Sequence, residues 1–211
     1  MLNVCTACGL SHAEFVLDGE GRLVCPSCGA RRAFRRLPLL LVGGPAGAGK
    51  STVCATLLGE VTEALVVEAD LLWRREFDTP ADGYKAYFRM WLRLAAHLSQ
   101  SGRPAALFGA AFAVPHNTEP LPERRLFSEV HYLGLVCDDR ELAARLRARP
   151  AWRDAREDLI AEHVRFNRRL KGRAATATPP VTLLDTTGAA VAETAALVAS
   201  WIRLRAGAAP R

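Results

Sequence analysis

A glycine-rich stretch of eight residues constrains this chain more than any other feature of its sequence. Residues 44–51 read Gly-Pro-Ala-Gly-Ala-Gly-Lys-Ser, which matches the pattern G-x-x-x-x-G-K-[ST], and Thr52 follows. An apolar run precedes the stretch and a helical pattern begins at its end. Glycines let the backbone wrap closely around an anion, so that successive N–H groups point at it. The stretch therefore predicts a phosphate-binding loop between a buried strand and a helix.

The residue types of this loop suit a nucleotide and a metal ion. We expect its backbone to hold the phosphates of ATP, Lys50 to reach the β- and γ-phosphates, and the Ser51 hydroxyl to hold Mg²⁺. The predicted nucleotide-binding residues are Gly44, Pro45, Ala46, Gly47, Ala48, Gly49, Lys50, Ser51 and Thr52.

From Leu37 onward, short apolar runs alternate with longer helical segments, which is typical of a parallel sheet covered by helices. Strands are predicted at Leu37 to Val42, Leu65 to Glu68, Ala105 to Phe108, His131 to Val136 and Val181 to Leu184. Helices are predicted at Lys50 to Gly59, Tyr84 to Ser99, Arg140 to Arg149, Arg156 to Lys171 and Ala190 to Arg205. The pattern predicts a three-layer α/β domain with a five-stranded parallel sheet.

Residues 1–30 predict a separate small unit organised by cysteines. Cys5-x-x-Cys8 and Cys25-x-x-Cys28 have sixteen residues between them, a spacing typical of four thiolates around one tetrahedral Zn²⁺. Strands are expected at Glu14 to Leu17 and at Arg22 to Val24. A unit with so few apolar residues cannot fold on hydrophobic burial alone and needs a metal ion to stabilise it. We therefore predict a structural zinc ribbon. A pair of redox dithiols is the alternative.

The remaining boundaries and the charge set broader expectations. The stretch RRAFRR at residues 31–36 is predicted to be a basic linker, and residues 37–211 form the phosphate-binding domain. The net charge of +6 permits anionic partners, although 25 of the 28 basic residues are Arg, a bias that genome composition also produces. No apolar run approaches the roughly 20 residues of a membrane span. We therefore expect a cytoplasmic protein without membrane partners.

Two acidic residues follow the second predicted strand, at Glu68 and Asp70 in VVEADLLW. We expect them at the carboxyl end of a strand beside the phosphate-binding loop, where chemistry collects in α/β proteins. The third strand instead runs into Gly109 without an acid, unlike large motor ATPases, and no guanine-reading N-K-x-D segment occurs. The missing N-K-x-D segment argues against a GTPase, and the missing acid after the third strand is unlike the usual pattern of the motor ATPases.

The order of these segments over residues 37–205 resembles the small-molecule kinases among P-loop proteins, such as nucleoside monophosphate, gluconate, shikimate and chloramphenicol kinases. More narrowly, EADLLW, EFDTP, SGRPAALFG, LVCDDRELAARLRARPAWR and LLDTTG resemble bacterial proteins described as AAA-family ATPases or nucleoside kinases. The resemblance implies an enzyme that transfers the γ-phosphoryl group of ATP to a small hydroxyl- or phosphate-bearing acceptor.

The resemblance also implies catalytic roles for four residues. Lys50 would serve the phosphates, and Asp70 would accept the proton of the acceptor hydroxyl or orient Mg²⁺, with Glu68 as the second choice. Arg149 and Arg153 would belong to a lid that neutralises charge in the transition state. Arg145 lies four residues before Arg149, on the same face of a predicted helix.

The acceptor site of such kinases lies between the second and third strands, here residues 71–103. The candidates to line it are Trp73, Arg74, Tyr84, Arg89 and Arg93, although an ordinary buried helix stripe explains part of this set. After the third strand the chain reads GAAFAVPHN, without the arginines that bind a substrate phosphate in many nucleoside monophosphate kinases. The resemblance further suggests that Asp185 to Gly188 frames adenine.

Two other functions remain open at this stage. An NTPase that uses the zinc ribbon to bind nucleic acid is the less favoured alternative, because Glu14, Asp18 and Glu20 outnumber Arg22 in residues 1–30. The other is a protein adaptor whose loop senses nucleotide without turnover. Neither oligomeric state nor the acceptor follows from the sequence.

Overall fold

The N-terminal unit is a small antiparallel sheet beside two cysteine turns. The computed structural model of the protein describes residues 3–11, 16–150, 153 and 156–207. The sheet consists of β1 (Val16–Leu17), β2 (Leu23–Val24) and β3 (Arg31–Arg32), with β2 in the middle. The third strand was not predicted, because the sequence analysis placed Arg31 and Arg32 in the linker. Glu14 and Phe15, predicted in the first strand, lie outside the described residues.

The larger sheet follows the apolar runs of the sequence. Its strands are β4 (Leu39–Gly43), β5 (Leu65–Glu68), β6 (Ala105–Phe108), β7 (Val130–Val136) and β8 (Val181–Asp185), all parallel. β4 and β6 are buried along their whole length, as near-continuous apolar runs predict for central strands.

The strand order is β5-β6-β4-β7-β8, which corrects one expectation about the site. The strand ending at Glu68 is at the edge of the sheet, and β6 separates it from β4 and the phosphate-binding loop. The physical reason is burial: all four residues of β6 are buried, whereas those of β5 are only partly buried. The more apolar strand takes the central position.

Helices cover both faces of this sheet and complete the predicted three-layer α/β fold. They are α1 (Lys50–Leu57), α2 (Lys85–Leu98), α3 (Asp139–Arg147), α4 (Glu157–Arg173) and α5 (Val191–Ala206). One apolar cluster joins α1 and α5 to the sheet, and another joins α2 and α4 to the opposite face. The prediction of a five-stranded α/β domain is thus confirmed. Within the described part of the chain, no helix has both the length and the apolar character needed to cross a membrane.

The N-terminal unit packs against the amino edge of the large sheet. Leu17 and Phe34 are partly buried against both its own small core and the α2 side of the domain. Arg36 donates a hydrogen bond from its guanidinium to Phe127 O (3.0 Å), and the Gln100 side chain bonds the backbone of Arg35. These partners precede β6 and β7. The unit therefore lies at the amino ends of the strands, whereas the phosphate-binding loop lies at their carboxyl ends. A five-residue strand such as β4 separates the two ends by about 17 Å.

Candidate active site

The phosphate-binding loop depends on glycines where the backbone turns. Gly44 and Gly49 have φ angles of 141° and 92°, conformations that other residues rarely adopt. A Cβ at Gly44 would lie 2.2 Å from Leu135 O of β7, so no side chain fits there. Gly49 occupies the N-cap of α1, so the helix begins with free N–H groups directed at the loop. This geometry is that of an anion-binding loop.

The Lys50 side chain lies within the loop, not on the surface. Its residue is buried, and its Nζ donates a hydrogen bond to Pro45 O at 2.8 Å. Burial lowers the pKa of Lys50 to about 8, the nearby Asp70 and Glu68 carboxylates raise it, and Arg149 lowers it. The ammonium group thus has lost much of its hydration, and the phosphates of a bound nucleotide would supply the missing counter-charge.

Asp70 lies near Lys50 even though its strand is at the edge of the sheet. It sits in a short 3₁₀ turn, Ala69–Leu72, directly after β5. Its side chain still contacts water, but the surrounding protein removes part of its hydration and raises its pKa, while Lys50 and Arg153 lower it and Glu68 raises it. Asp70 is therefore within electrostatic reach of the loop lysine and of one predicted lid arginine.

The predicted arginines line the same cleft as the loop. This cleft of about 240 Å³ is lined by Gly47, Gly49, Lys50, Ser51, Thr52, Arg145, Arg149 and Arg153. Burial lowers the pKa of Arg149, and the positive charge of Arg153 lowers it further, so the two guanidinium groups face one region. α3 ends at Arg147, so Arg149 follows the helix, contrary to the predicted shared helical face. The cleft nevertheless brings Arg145 and Arg149 together.

Arg145 helps to position the phosphate-binding loop, a role that the amino-acid sequence alone does not reveal. It donates hydrogen bonds to Gly47 O (3.4 Å) and Thr186 O (2.7 Å), and it pairs with Glu141 one turn before it on α3. Glu141 in turn accepts from Gly188 N at 3.1 Å. These bonds hold the phosphate-binding loop against the loop after β8.

A second cleft of about 300 Å³ continues from the loop toward α5. It is lined by Gly47, Ala48, Gly49, Thr52, Val53, Arg145, Thr186, Ala189, Val191 and Thr194. Its position beside Asp185 to Gly188 is where the resemblance suggested the adenine. Together the two clefts offer room for phosphates at one end and a nucleoside at the other.

His163 on α4 is a site residue that sequence reasoning missed. The backbone N–H of Ala46 in the loop donates to His163 Nδ1 at 3.4 Å. Burial lowers the pKa of this imidazole, and the positive charge of Lys50 lowers it further, which favours the neutral ring that can accept this hydrogen bond. Helical spacing could have indicated that His163 faces inward, because Ile160, Asn167 and Leu170 lie on the same side of α4 and are buried.

The acceptor region departs from the prediction at Arg89. Its guanidinium makes an ion pair with the buried carboxylate of Glu123, with N to O distances of 2.9 to 3.1 Å. Trp73, by contrast, packs on Tyr84 and Tyr87 and is 44% exposed. Arg89 therefore stabilises the domain, whereas the Trp73 side chain is exposed three residues after Asp70.

The four predicted zinc ligands lie together in the N-terminal unit. The sulfur atoms of Cys5, Cys8, Cys25 and Cys28 all lie within 4.8 Å of one another. The Sγ atoms of Cys5 and Cys28 are 3.7 Å apart and those of Cys8 and Cys25 are 3.8 Å apart, close to the edge of about 3.8 Å of a tetrahedron with Zn–S bonds near 2.3 Å. The cluster fits a small zinc site.

The loop, its lysine and the parallel sheet define a P-loop protein of kinase-like architecture. The family model described as AAA domain matches residues 39–171, more than half of the chain, so the protein belongs to this AAA domain family. Comparison with curated proteins gives no match.

Solved structures of two kinases share the fold. A gluconokinase from Sinorhizobium meliloti is 17% identical with a TM-score of 0.54, over 82% of this chain and 95% of that one. A sugar kinase from Janibacter is 14% identical with a TM-score of 0.51, over 84% of this chain and 100% of that one. Identities this low show a common fold and leave the reaction to be argued from the site.

Proposed function

We propose that this protein transfers the γ-phosphoryl group of ATP to a hydroxyl group of a small molecule. The observation that carries the proposal is a P-loop cleft lined by Lys50, Arg149 and Arg153, with the Asp70 carboxylate within electrostatic reach of Lys50 and Arg153. An anion-binding loop alone would not distinguish an enzyme from a protein that only senses nucleotide. A carboxylate with a raised pKa beside a cleft lined by cations adds what a phosphoryl transfer requires.

Each group has a definite task in this reaction. The acceptor oxygen forms a bond to the γ-phosphorus, its proton passes to the Asp70 carboxylate, and the bond from the γ-phosphorus to the β–γ bridging oxygen breaks to leave ADP. Lys50, Arg149 and Arg153 neutralise charge on the transferring group. Mg²⁺, with Ser51 as its expected protein ligand, would supply charge neutralisation between the β- and γ-phosphates. His163 and Arg145 keep the loop in position.

The contacts around Asp70 favour an uncharged acceptor with an apolar part. Arg89 is already paired with Glu123, and the segment after β6 contains no arginine until Arg124, whose guanidinium bonds Glu119. Leu71 is 78% exposed next to Asp70, and Trp73 is exposed two residues further. These side chains would contact carbon atoms of an acceptor better than a phosphate.

We further propose that the cysteine cluster holds a structural Zn²⁺. Four thiolates complete a tetrahedral site and leave no open position for catalysis. The ion would supply folding free energy to a unit whose buried apolar core consists of Cys5, Leu23 and Cys25.

A phosphotransfer screen tests the proposed reaction. Purified protein with Mg²⁺ and γ-labelled ATP is offered nucleosides, sugars, hydroxylated antibiotics and nucleoside monophosphates, and labelled product is measured. We expect transfer to an uncharged hydroxyl compound, abolished in Lys50→Met and retained in the exposed control Lys85→Met. If no acceptor is labelled and RNA or DNA stimulates ATP hydrolysis in a salt-dependent way, the nucleic-acid alternative replaces the proposal.

A further inference from the structure

A cavity on the face of the sheet covered by α4 belongs to neither cleft of the P-loop. Its volume is about 650 Å³, within the range of small-molecule sites. It lies between residues 113–120, the second half of α4 and the loop that enters β8. None of its lining residues lines the P-loop clefts. Its far end reaches Val181, the first residue of β8, so it extends toward the amino edge of the sheet.

The inner wall of this cavity is apolar. Ala113, Leu170, Ala174 and Val181 are buried members of the core on that face, and Phe166 packs against the same core. Ala113 also lies directly against β4, because a Cβ at Gly43 would come within 2.2 Å of its backbone N. The wall is therefore part of the rigid core, and the cavity is preformed.

Two arginines at the rim carry positive charge, and no acid lies one turn away from either of them on α4. Arg169 and Arg173 are exposed, lie four residues apart on α4 and line the cavity. Neighbouring cations of the same helix are engaged: Arg168 pairs with Asp139, and Lys171 donates to Cys137 O. Within the described ranges, no hydrogen bond or ion pair engages the guanidinium group of Arg169 or Arg173, although Arg173 O accepts from the Thr176 hydroxyl.

The single acid among the lining residues does not cancel this charge. Glu119 accepts a hydrogen bond from Arg124 Nε at 2.9 Å and another from the Tyr132 hydroxyl at 2.7 Å. Its carboxylate is thus already compensated by a cation outside the cavity. The rim keeps an excess of positive charge over an apolar interior.

We propose that this cavity binds an amphipathic anion, a molecule with a compact apolar body and one carboxylate, sulfonate or phosphate group. The apolar body would occupy the inner wall, and the anionic group would bridge Arg169 and Arg173, whose guanidinium groups suit planar and tetrahedral oxyanions. This site is separate from the nucleotide site and does not depend on the proposed phosphotransfer.

Fluorescence titration with 8-anilinonaphthalene-1-sulfonate tests the proposal, with uncharged N-phenyl-1-naphthylamine as the matched probe. The double variant Arg169→Ala/Arg173→Ala should weaken binding of the sulfonate at least tenfold and leave the uncharged probe unaffected. Arg165→Ala removes an exposed arginine of α4 that does not line the cavity, and it should change neither. Saturating MgADP should not displace the sulfonate.

Two results would contradict the proposed binding site. Equal sulfonate affinity in the wild type and the double variant would mean that the rim arginines only complement the carboxyl end of α4. Displacement by MgADP would place the probe in the P-loop cleft. Ala177→Trp, which fills the rim from a half-buried position, supplies an independent check, since it should exclude both probes while the melting temperature stays near that of the wild type.

Discussion

The N-terminal unit and the P-loop domain are held together by different physical interactions. The buried apolar core of the first is Cys5, Leu23 and Cys25, whereas the second buries apolar clusters on both faces of a five-stranded sheet. Two of those three residues are expected metal ligands, so the same cysteines must provide both packing and coordination. If the cluster holds Zn²⁺ as proposed, one region depends on an ion and the other on the hydrophobic effect.

Metal removal should separate the two regions most strongly. We expect purified protein to carry about one zinc per chain, and chelation to unfold the three-stranded N-terminal sheet completely while the P-loop domain stays folded, because Zn²⁺ contributes about 10–16 kcal/mol to comparable sites. Amide NMR signals before and after chelation report both regions at once. Cys25→Ser should lose the metal, whereas Cys54→Ala, whose cysteine is buried in α1, should keep it. A unit that stays folded without metal, or that contains oxidised cysteine pairs, contradicts the zinc site.

Lys50→Met tests whether the P-loop domain, unlike the N-terminal unit, is destabilised by a residue of its own binding site. We expect phosphotransfer to fall about 10³-fold or more, since a charged stabiliser of the transition state is removed. Without nucleotide, however, the variant should melt at a higher temperature than the wild type, because a buried ammonium group is replaced by an apolar chain.

The pH dependence fixes the sign of that stability effect. The folded pKa of Lys50 is about 8, below the 10.5 of the free side chain, so the unfolded chain binds more protons between these values. The wild type therefore gains stability as pH rises through this window. The advantage of Lys50→Met should be full below pH 8, about 3 kcal/mol, and should disappear near pH 10.5. Lys85→Met, at an exposed position, should show no such trend, and a parallel trend in both variants would contradict the burial argument.

Asp70→Asn distinguishes the possible tasks of the carboxylate. If Asp70 is the general base, phosphotransfer should fall about 10²- to 10³-fold with little change in affinity for MgATP. A loss of MgATP affinity would instead indicate that Asp70 orients Mg²⁺. Asp78→Asn, an exposed acid of the same segment, is the control and should remain active.

The pH–rate profile adds a second criterion for Asp70. Because desolvation raises the pKa of its carboxyl group, the acidic limb of kcat/KM should lie above the ordinary range for aspartate and should disappear in Asp70→Asn. Near-normal transfer with only a small drop in melting temperature would exclude Asp70 and direct attention to Glu68.

Phe34→Ala should have the smallest effect and measures how strongly the two regions are joined. Phe34 is half-buried and packs against both cores, so its truncation should cost about 1–2 kcal/mol. Urea denaturation followed by zinc release and by circular dichroism should then give two separate transitions. Leu204→Ala, at a 68% exposed position, should leave the curves unchanged. Coincident transitions in Phe34→Ala would indicate that other contacts dominate the interface.

Local sequence patterns predicted the elements of the fold well because those elements depend on nearby residues. β5 and β6 begin and end where the apolar runs do, and α2 differs from its prediction by one residue at each end. The glycine pattern located the loop for the same reason. Strand order was not accessible in this way, since it depends on which strand buries both of its faces.

Long-range contacts account for the parts of the site that the sequence concealed. Arg89 pairs with Glu123 across 34 residues, and His163 meets Ala46 across 117, so neither contact leaves a local pattern. Asp70 was predicted in the site for a partly wrong reason: its strand does not adjoin β4, but the turn after β5 still brings its charge near Lys50. The predicted catalytic and metal-binding roles themselves await the experiments above.

The docking of the cysteine unit at the amino edge of the sheet has a consequence for how the protein can be used. Arg36 and Gln100 fix the unit where β6 and β7 begin, whereas the phosphate-binding loop follows the other end of β4. A partner that bound the unit would therefore approach the domain from the end opposite the phosphate-binding loop. Contacts made by the unit would not obstruct the phosphate-binding loop, so the outer surface of the unit can change during evolution while the loop is preserved.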